Sequence, residues 1–197
     1  ISENAVDVRS VYATDIDGDG DIDVLSASVT DDKVSWYEQD ATGSFIEHTI
    51  TNNLNGAHSV YAIDIDGDGD TDVLSTATFN DRLYWYEQDV NGSFIEHLIT
   101  TTTDAVRSVY AVDLDGDGDI DVLSASSNDN TIAWYEQDAT GSFIEHTITT
   151  NAIDAYSVYA RDIDGDGDID VLSASAGDET IAWYEQDATG SFIEHTI

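Results

Sequence analysis

The sequence repeats itself every 49 residues, and that period constrains what the chain can fold into more than anything else in it. An aspartate run begins at Asp15, Asp64, Asp113 and Asp162, each time preceded by "SVYA" and followed by "WYEQD" and "GSFIEH". Four such units fill the 197 residues after a short lead-in. Periods of about 20–50 residues belong to solenoids, propellers and arrays. One repeat domain over 1–197 is therefore expected, with units near 1–50, 51–99, 100–148 and 149–197.

Within the first unit, β-branched and aromatic residues mark strands at Ser10–Ile16, Asp23–Ser28, Lys33–Gln39 and Ser44–Ile50, separated by turn-forming stretches such as "DATG". No segment carries an apolar period of 3.6 long enough for a helix. The predicted fold class is all-β: a β-propeller of four-stranded antiparallel blades, one blade per repeat. In "TIAWYEQ" Ile132 and Trp134 face one side while Ala133 and Tyr135 face the other, so both faces of the sheet are apolar. Such a unit cannot bury itself and needs a neighbour on each side. A β-solenoid is the alternative, although its coils are usually shorter.

Composition excludes several function classes. Hydrophobic residues make up 41% of the chain, ample for a core. The formal charge of −37, from 42 acids against five Lys or Arg, repels phosphate backbones and anionic membrane surfaces, so no nucleic-acid partner is expected. No apolar run approaches the roughly 20 residues that span a bilayer, so membrane insertion is not expected either. The absence of cysteine excludes disulfides and Cys-based zinc sites. The first residue is Ile rather than Met, which reads as a processed or excised piece.

The aspartate runs carry the chemistry. From Asp15 the pattern is D-x-D-x-D-G-D-x-D, with carboxylates at positions 1, 3, 5, 7 and 9. Five like charges in nine residues between two strands call for a cation. Calcium takes six to eight oxygen ligands at about 2.3–2.6 Å in a flexible cage, whereas magnesium demands rigid octahedral geometry. An EF-hand loop would need an acid at position 12 and flanking helices. Position 12 here is Ser26 and the flanks are strands, so that reading fails.

The pattern "D-G-D-G-D-x-D-V-L" leading into a strand resembles the calcium loops of FG-GAP (VCBS-like) repeats, the blades of the integrin α-type propeller and of many secreted bacterial proteins. The resemblance covers the whole chain, although the name-giving Phe-Gly and Gly-Ala-Pro are absent. It implies about one Ca2+ per repeat. Asp15, Asp17, Asp19 and Asp23 would supply side-chain oxygens and Asp21 its backbone carbonyl. The same roles would fall to Asp64, Asp66, Asp68 and Asp72 with Asp70, and to Asp113, Asp115, Asp117 and Asp121 with Asp119. In the fourth unit they would fall to Asp162, Asp164, Asp166 and Asp170 with Asp168. Four equivalent closed cages point to a structural ion rather than a catalytic one. Calcium loops of extracellular modules bind at about 0.1–1 mM, so a secreted protein is expected.

Other residues weigh less. His48, His97, His146 and His195 recur in every "IEH", which suggests packing or hydrogen bonding, and His58 is unique but reads as a loop residue. Glu47 and His48 alternate in direction and cannot act together, and Glu38 shows no reason for a catalytic pairing. Trp36, Trp85, Trp134 and Trp183 could line sugar sites but read as core between blades. Asn91-Gly92-Ser93 matches a glycosylation sequon. No unique catalytic constellation appears, and no enzyme is expected. The copies vary mainly in the turn after the second strand and in the link between units, so one face is uniform and metal-bound and the other varied.

The expected function is extracellular ligand binding or adhesion, with a glycan or protein ligand and a glycan as the first class to test. The rival is a structural or self-assembling segment of a longer repeat chain. Tyr12, Tyr61, Tyr110 and Tyr159 are bulky for the narrow axis of a four-bladed ring. The near-identical repeats would let one copy's fourth blade accept another copy's first. A homodimer of eight blades is therefore expected, with a closed four-bladed monomer or membership of a longer chain as the alternatives.

Overall fold

The computed structural model describes residues 1–2 and 5–197. The expected strands form, four per repeat. The first repeat holds β1 (Val8–Thr14), β2 (Asp23–Ser28), β3 (Lys33–Gln39) and β4 (Phe45–Thr51). The second holds β5 (Ala57–Ile63), β6 (Asp72–Ala77), β7 (Arg82–Gln88) and β8 (Phe94–Thr100). The third runs through β9 (Val106–Val112), β10 (Asp121–Ser126), β11 (Thr131–Gln137) and β12 (Phe143–Thr149). The fourth runs through β13 (Ala155–Arg161), β14 (Asp170–Ser175), β15 (Thr180–Gln186) and β16 (Phe192–Thr196). Each repeat is a separate four-stranded antiparallel meander, and no sheet closes on itself. No helix long and apolar enough to cross a membrane occurs among the described residues.

The pairing register defines two faces on every sheet. In the first repeat Tyr12 lies opposite Leu25, Leu25 opposite Trp36 and Trp36 opposite His48, a row on one side. The neighbouring row, Ala13, Val24, Tyr37 and Glu47, points the other way. We call these the Trp face and the Val face. Two bulges interrupt the alternation. Val8 pairs with Ser28 and Ser10 with Ala27, leaving Arg9 extra; Val34 pairs with Thr51 and Ser35 with Thr49, leaving Ile50 extra.

The chain divides into two compact units, Ile1–Thr102 and Thr103–Ile197, each holding two repeats. In the first unit Leu25, Val34 and Trp36 are buried with Val60, Val73 and Tyr86 of the second repeat. In the second unit Leu123, Ile132 and Trp134 are buried with Val158, Val171 and Tyr184. This is the mutual burial that the two-sided apolar strands require, and Trp36 and Trp134 sit in it as expected, whereas Trp183 is only half-buried. The tyrosines of the first strands pair within each unit, Tyr12 with Tyr61 at 4.8 Å between ring centroids and Tyr110 with Tyr159 at 4.7 Å.

One residue stands elsewhere than expected. His58 is buried within β5 rather than on a loop, because that strand begins at Ala57.

Candidate metal centre

The aspartate run is the loop between the first two strands of each sheet. Thr14 pairs with Asp23, so the chain leaves β1, turns through Asp15–Ile22 and re-enters the ladder at once. Gly18 (φ 76°) and Gly20 (φ 97°) take left-handed conformations that curl the loop around its own carboxylates. No atom lies near a Cβ built on either glycine, so backbone conformation alone selects glycine there. Asp15 accepts hydrogen bonds from the Gly18 and Gly20 N–H groups at 2.8 and 3.0 Å, and Asp17 from the Asp19 N–H at 3.1 Å. The Asp21 N–H donates to Asp19 at 2.8 Å.

The last aspartate also has a role that its spacing does not show. Asp23 is fully buried and accepts from the Ile16 N–H (3.0 Å) and from the Gln39 N–H at the end of β3 (2.8 Å). Asp72, Asp121 and Asp170 repeat this with Ile65 and Gln88, Leu114 and Gln137, and Ile163 and Gln186. The position-9 carboxylate thus ties the loop to the third strand. Each carboxylate offers about four lone-pair sites, so acceptor capacity remains for an ion.

The structure brings together part of each predicted ligand set. Carboxylate oxygens of Asp64, Asp66 and Asp72 lie within 4.8 Å of one another, as do those of Asp113, Asp115 and Asp121, and of Asp162, Asp164 and Asp170. In the first loop the group is Asp15, Asp17 and Asp19. Positions 1 and 3 therefore take part in all four loops, position 9 in three and position 5 in one. Asp21, Asp70, Asp119 and Asp168 lie outside these groups, as do Asp68, Asp117 and Asp166.

Electrostatics bear on whether an ion fits. Burial pushes Asp72 and Asp121 up to about 6, against the pull of their backbone N–H donors. Burial likewise raises Asp17, Asp66 and Asp115, and neighbouring carboxylates add to the rise. Four of the five cationic side chains are engaged outside the loops: Arg9 with Asp7, Lys33 with Glu47, Arg82 with Tyr84 and Arg107 with Ser127. Converging oxygen donors, half-buried and charged, form a group in each repeat that could hold a metal ion.

A second recurrent cluster lies on the outer strands. His48 Nε2 is 2.7 Å from Glu38 Oε2, and its ring stacks on Trp36 at 4.6 Å. His97 with Glu87, His146 with Glu136 and His195 with Glu185 repeat the pairing at 2.7 Å. This is the hydrogen bonding that the recurrence suggests, with a partner that the strand pattern does not identify. Glu38 lies two residues beyond Trp36, whose cross-strand partner is His48, so only the β3–β4 register puts them together. Beside this cluster a cleft of about 510 Å³ is lined by Trp36, Glu47, His48, Thr49, Ser93 and Phe94, among others. The second unit has the equivalent cleft beside Trp134 and His146, about 320 Å³ in volume.

The FG-GAP-like repeat model matches residues 15–75, 65–124 and 113–173, each match opening at or beside the first aspartate of a loop. The chain belongs to the FG-GAP-like repeat family. No curated protein matches it. Among solved structures, the Vibrio cholerae biofilm matrix protein Bap1 aligns over 95% of this chain and 28% of its own, with TM-score 0.60 and 22% identity. A functionally unknown protein from Desulfotomaculum acetoxidans aligns over 94% of this chain and 54% of its own (TM-score 0.65, 12% identity). A protein from Lactobacillus plantarum aligns over 96% and 57% (TM-score 0.65, 18% identity). At these identities the likeness is one of fold, and this chain spans little more than a quarter to a half of each structure's length.

Proposed function

We propose that the chain is a calcium-loaded β-propeller module that works outside the cell as a binding or adhesion surface for a neutral glycan. The observation that carries this reading is the carboxylate group preformed in every repeat. Its donors are all oxygen, which favours a hard cation, and its loop geometry is irregular, which suits calcium better than magnesium. Asp15, Asp17, Asp19 and Asp23 would hold the ion in the first repeat, with the Asp21 carbonyl, and the corresponding aspartates in the others. A bound divalent ion would supply no chemistry beyond offsetting charge and fixing the β1–β2 loop. FG-GAP repeats commonly bind calcium, and Bap1, of similar fold, is a biofilm matrix protein, which supports an extracellular setting.

The ligand class follows from charge and from the clefts. A chain of net charge −37 disfavours polyanionic ligands. The cleft beside Trp36 offers the half-exposed His48 ring as a stacking platform, with Ser93 and Phe94 also in its lining. Hydroxyl-rich neutral sugars use that combination of a flat apolar ring and hydrogen-bonding groups. Glycan-array screening in calcium tests the reading: retention of neutral glycans that is lost on chelation supports it. An array without signal would contradict it and favour a spacer segment.

A further inference from the structure

The two internal repeat contacts are built from the same residues. In the first unit the Trp face of repeat one, with Leu25, Ala27, Val34 and Trp36 all 7% exposed or less, packs with Val60, Ala62, Val73 and Tyr86 of repeat two. In the second unit Leu123, Ala125, Ile132 and Trp134 pack in the same way with Val158, Ala160, Val171 and Tyr184. Each contact carries the same polar link: Ser10 Oγ accepts from the Val60 N–H at 3.3 Å, and Ser108 Oγ from the Val158 N–H at 3.3 Å.

Repeat four presents a further Trp face: Leu172, Ala174, Ile181 and Trp183, residue for residue the set of repeat three. It is not covered. Ile181 is 55% exposed where Ile132 is 0%, and Ile163 is 42% exposed where Leu114 is 1%. Repeat one presents a further Val face: Val11, Ala13, Val24 and Tyr37, the set that repeat two and repeat four use as covers. Val11 is 66% exposed where Val60 is 4% and Val158 is 5%. Ser157 stands where Ser10 and Ser108 make their links. Tyr37 on this face is only 3% exposed, and Ile1, Ser2 and Ala5 of the lead-in share a cleft with Val11 and Val24, so the cover over repeat one is partial and the Val11 end stays open. Each half of the contact made within both units is therefore left partly open once.

We propose that the Trp face of repeat four binds the Val face of repeat one of a second copy of this chain, head to tail. The occupant follows from complementarity already realised: the residues that fit this surface in each unit are the Val-face set that repeat one also carries, with Val11 exposed. An apolar surface of this composition also calls for cover in water. The contact is heterologous, so the two surfaces are different and can be blocked separately.

The test uses light scattering on the whole chain at micromolar concentration in about 1 mM calcium. The native chain is expected at twice 21.4 kDa or more. Val11→Glu and Ile181→Glu alter exposed side chains and should leave the circular dichroism of the fold unchanged. Each variant alone is expected at one chain mass, because each lacks one half of the contact. Their equimolar mixture is expected to regain a two-chain species, since one variant keeps an intact Trp face and the other an intact Val face. A native chain that stays monomeric would overturn the proposal. So would folded variants whose mixture fails to associate, or a single variant that still forms a two-chain species, which is what pairing of like faces gives.

Discussion

At the residue level the account turns on carboxylates that are costly to ionise without an ion. Asp72 and Asp121 titrate near 6 in the folded chain against an ordinary value of 3.8, with burial as the main cause. Their folded values are raised, so the stability they favour is fully present below about pH 3.8 and is lost as pH rises through about 6. Metal-free protein should therefore gain melting temperature from these groups as pH falls from 7 to 5. A bound cation favours the carboxylate, so calcium-loaded protein should lose stability over the same window. Opposite slopes in differential scanning calorimetry, with and without chelator, are the expected result; parallel slopes would remove the ion from the account. Asp40 and Asp138 do not confuse the test. Their Thr hydroxyl and backbone hydrogen bonds hold them below 3.8, so their contribution is lost only in more acidic solution. A single-site test follows from the repetition: Asp113→Ala should remove one ion and leave the other three loops loaded, as counted by equilibrium dialysis. Loss of all ions from that one change would mean that the loops act as a coupled cluster. The alternating aspartates were plain in the sequence. The double hydrogen bond of Asp23 to Ile16 and Gln39 was not, since it depends on where β3 ends in space.

At the level of the element, each sheet is a meander whose turns impose strain at fixed positions. Asp32, Asp81, Asn130 and Glu179 occupy one equivalent place in the turn before the third strand, all with φ between 54° and 61°. Asn and Asp tolerate that conformation and Glu does so poorly. Glu179→Asn should stabilise the protein by a few tenths to about 1 kcal/mol. Urea denaturation in calcium, in the Val11→Glu background so that association does not enter, measures it; a destabilised variant would contradict the turn argument. The strands themselves were legible. Asp23–Ser28 and Lys33–Gln39 form as expected, because apolar residues on both faces with turn chemistry at each end leave little else. The expected fourth strand is displaced by one residue and β1 begins two residues earlier. Bulges at Arg9 and Ile50 break the two-residue alternation at those ends, and a bulge leaves no mark in a hydrophobic pattern. The same blindness to register hid the pairing of Glu38 with His48 and placed His58 on a loop.

For the whole molecule, charge sets the conditions of stability. A net charge of −37 opposes compaction, and four divalent ions would offset part of it where the carboxylates are densest. Ions that bind only the folded chain add stability by mass action, about 2.7 kcal/mol per independent site at a hundredfold excess over Kd. Chelation should therefore lower the melting temperature steeply and also weaken any association of copies by leaving their charges uncompensated. The period of 49 residues was enough to reveal the repeat and its two-sided sheet. It could not reveal that Val11 and Ile181 stand exposed where Val60, Val158 and Ile132 are buried, because identical sequences differ there only in what covers them. The most direct measurement is isothermal titration of chelator-treated protein with calcium. The account predicts uptake of about four ions per chain, one for each carboxylate group. An absence of calcium uptake by the folded chain would contradict it.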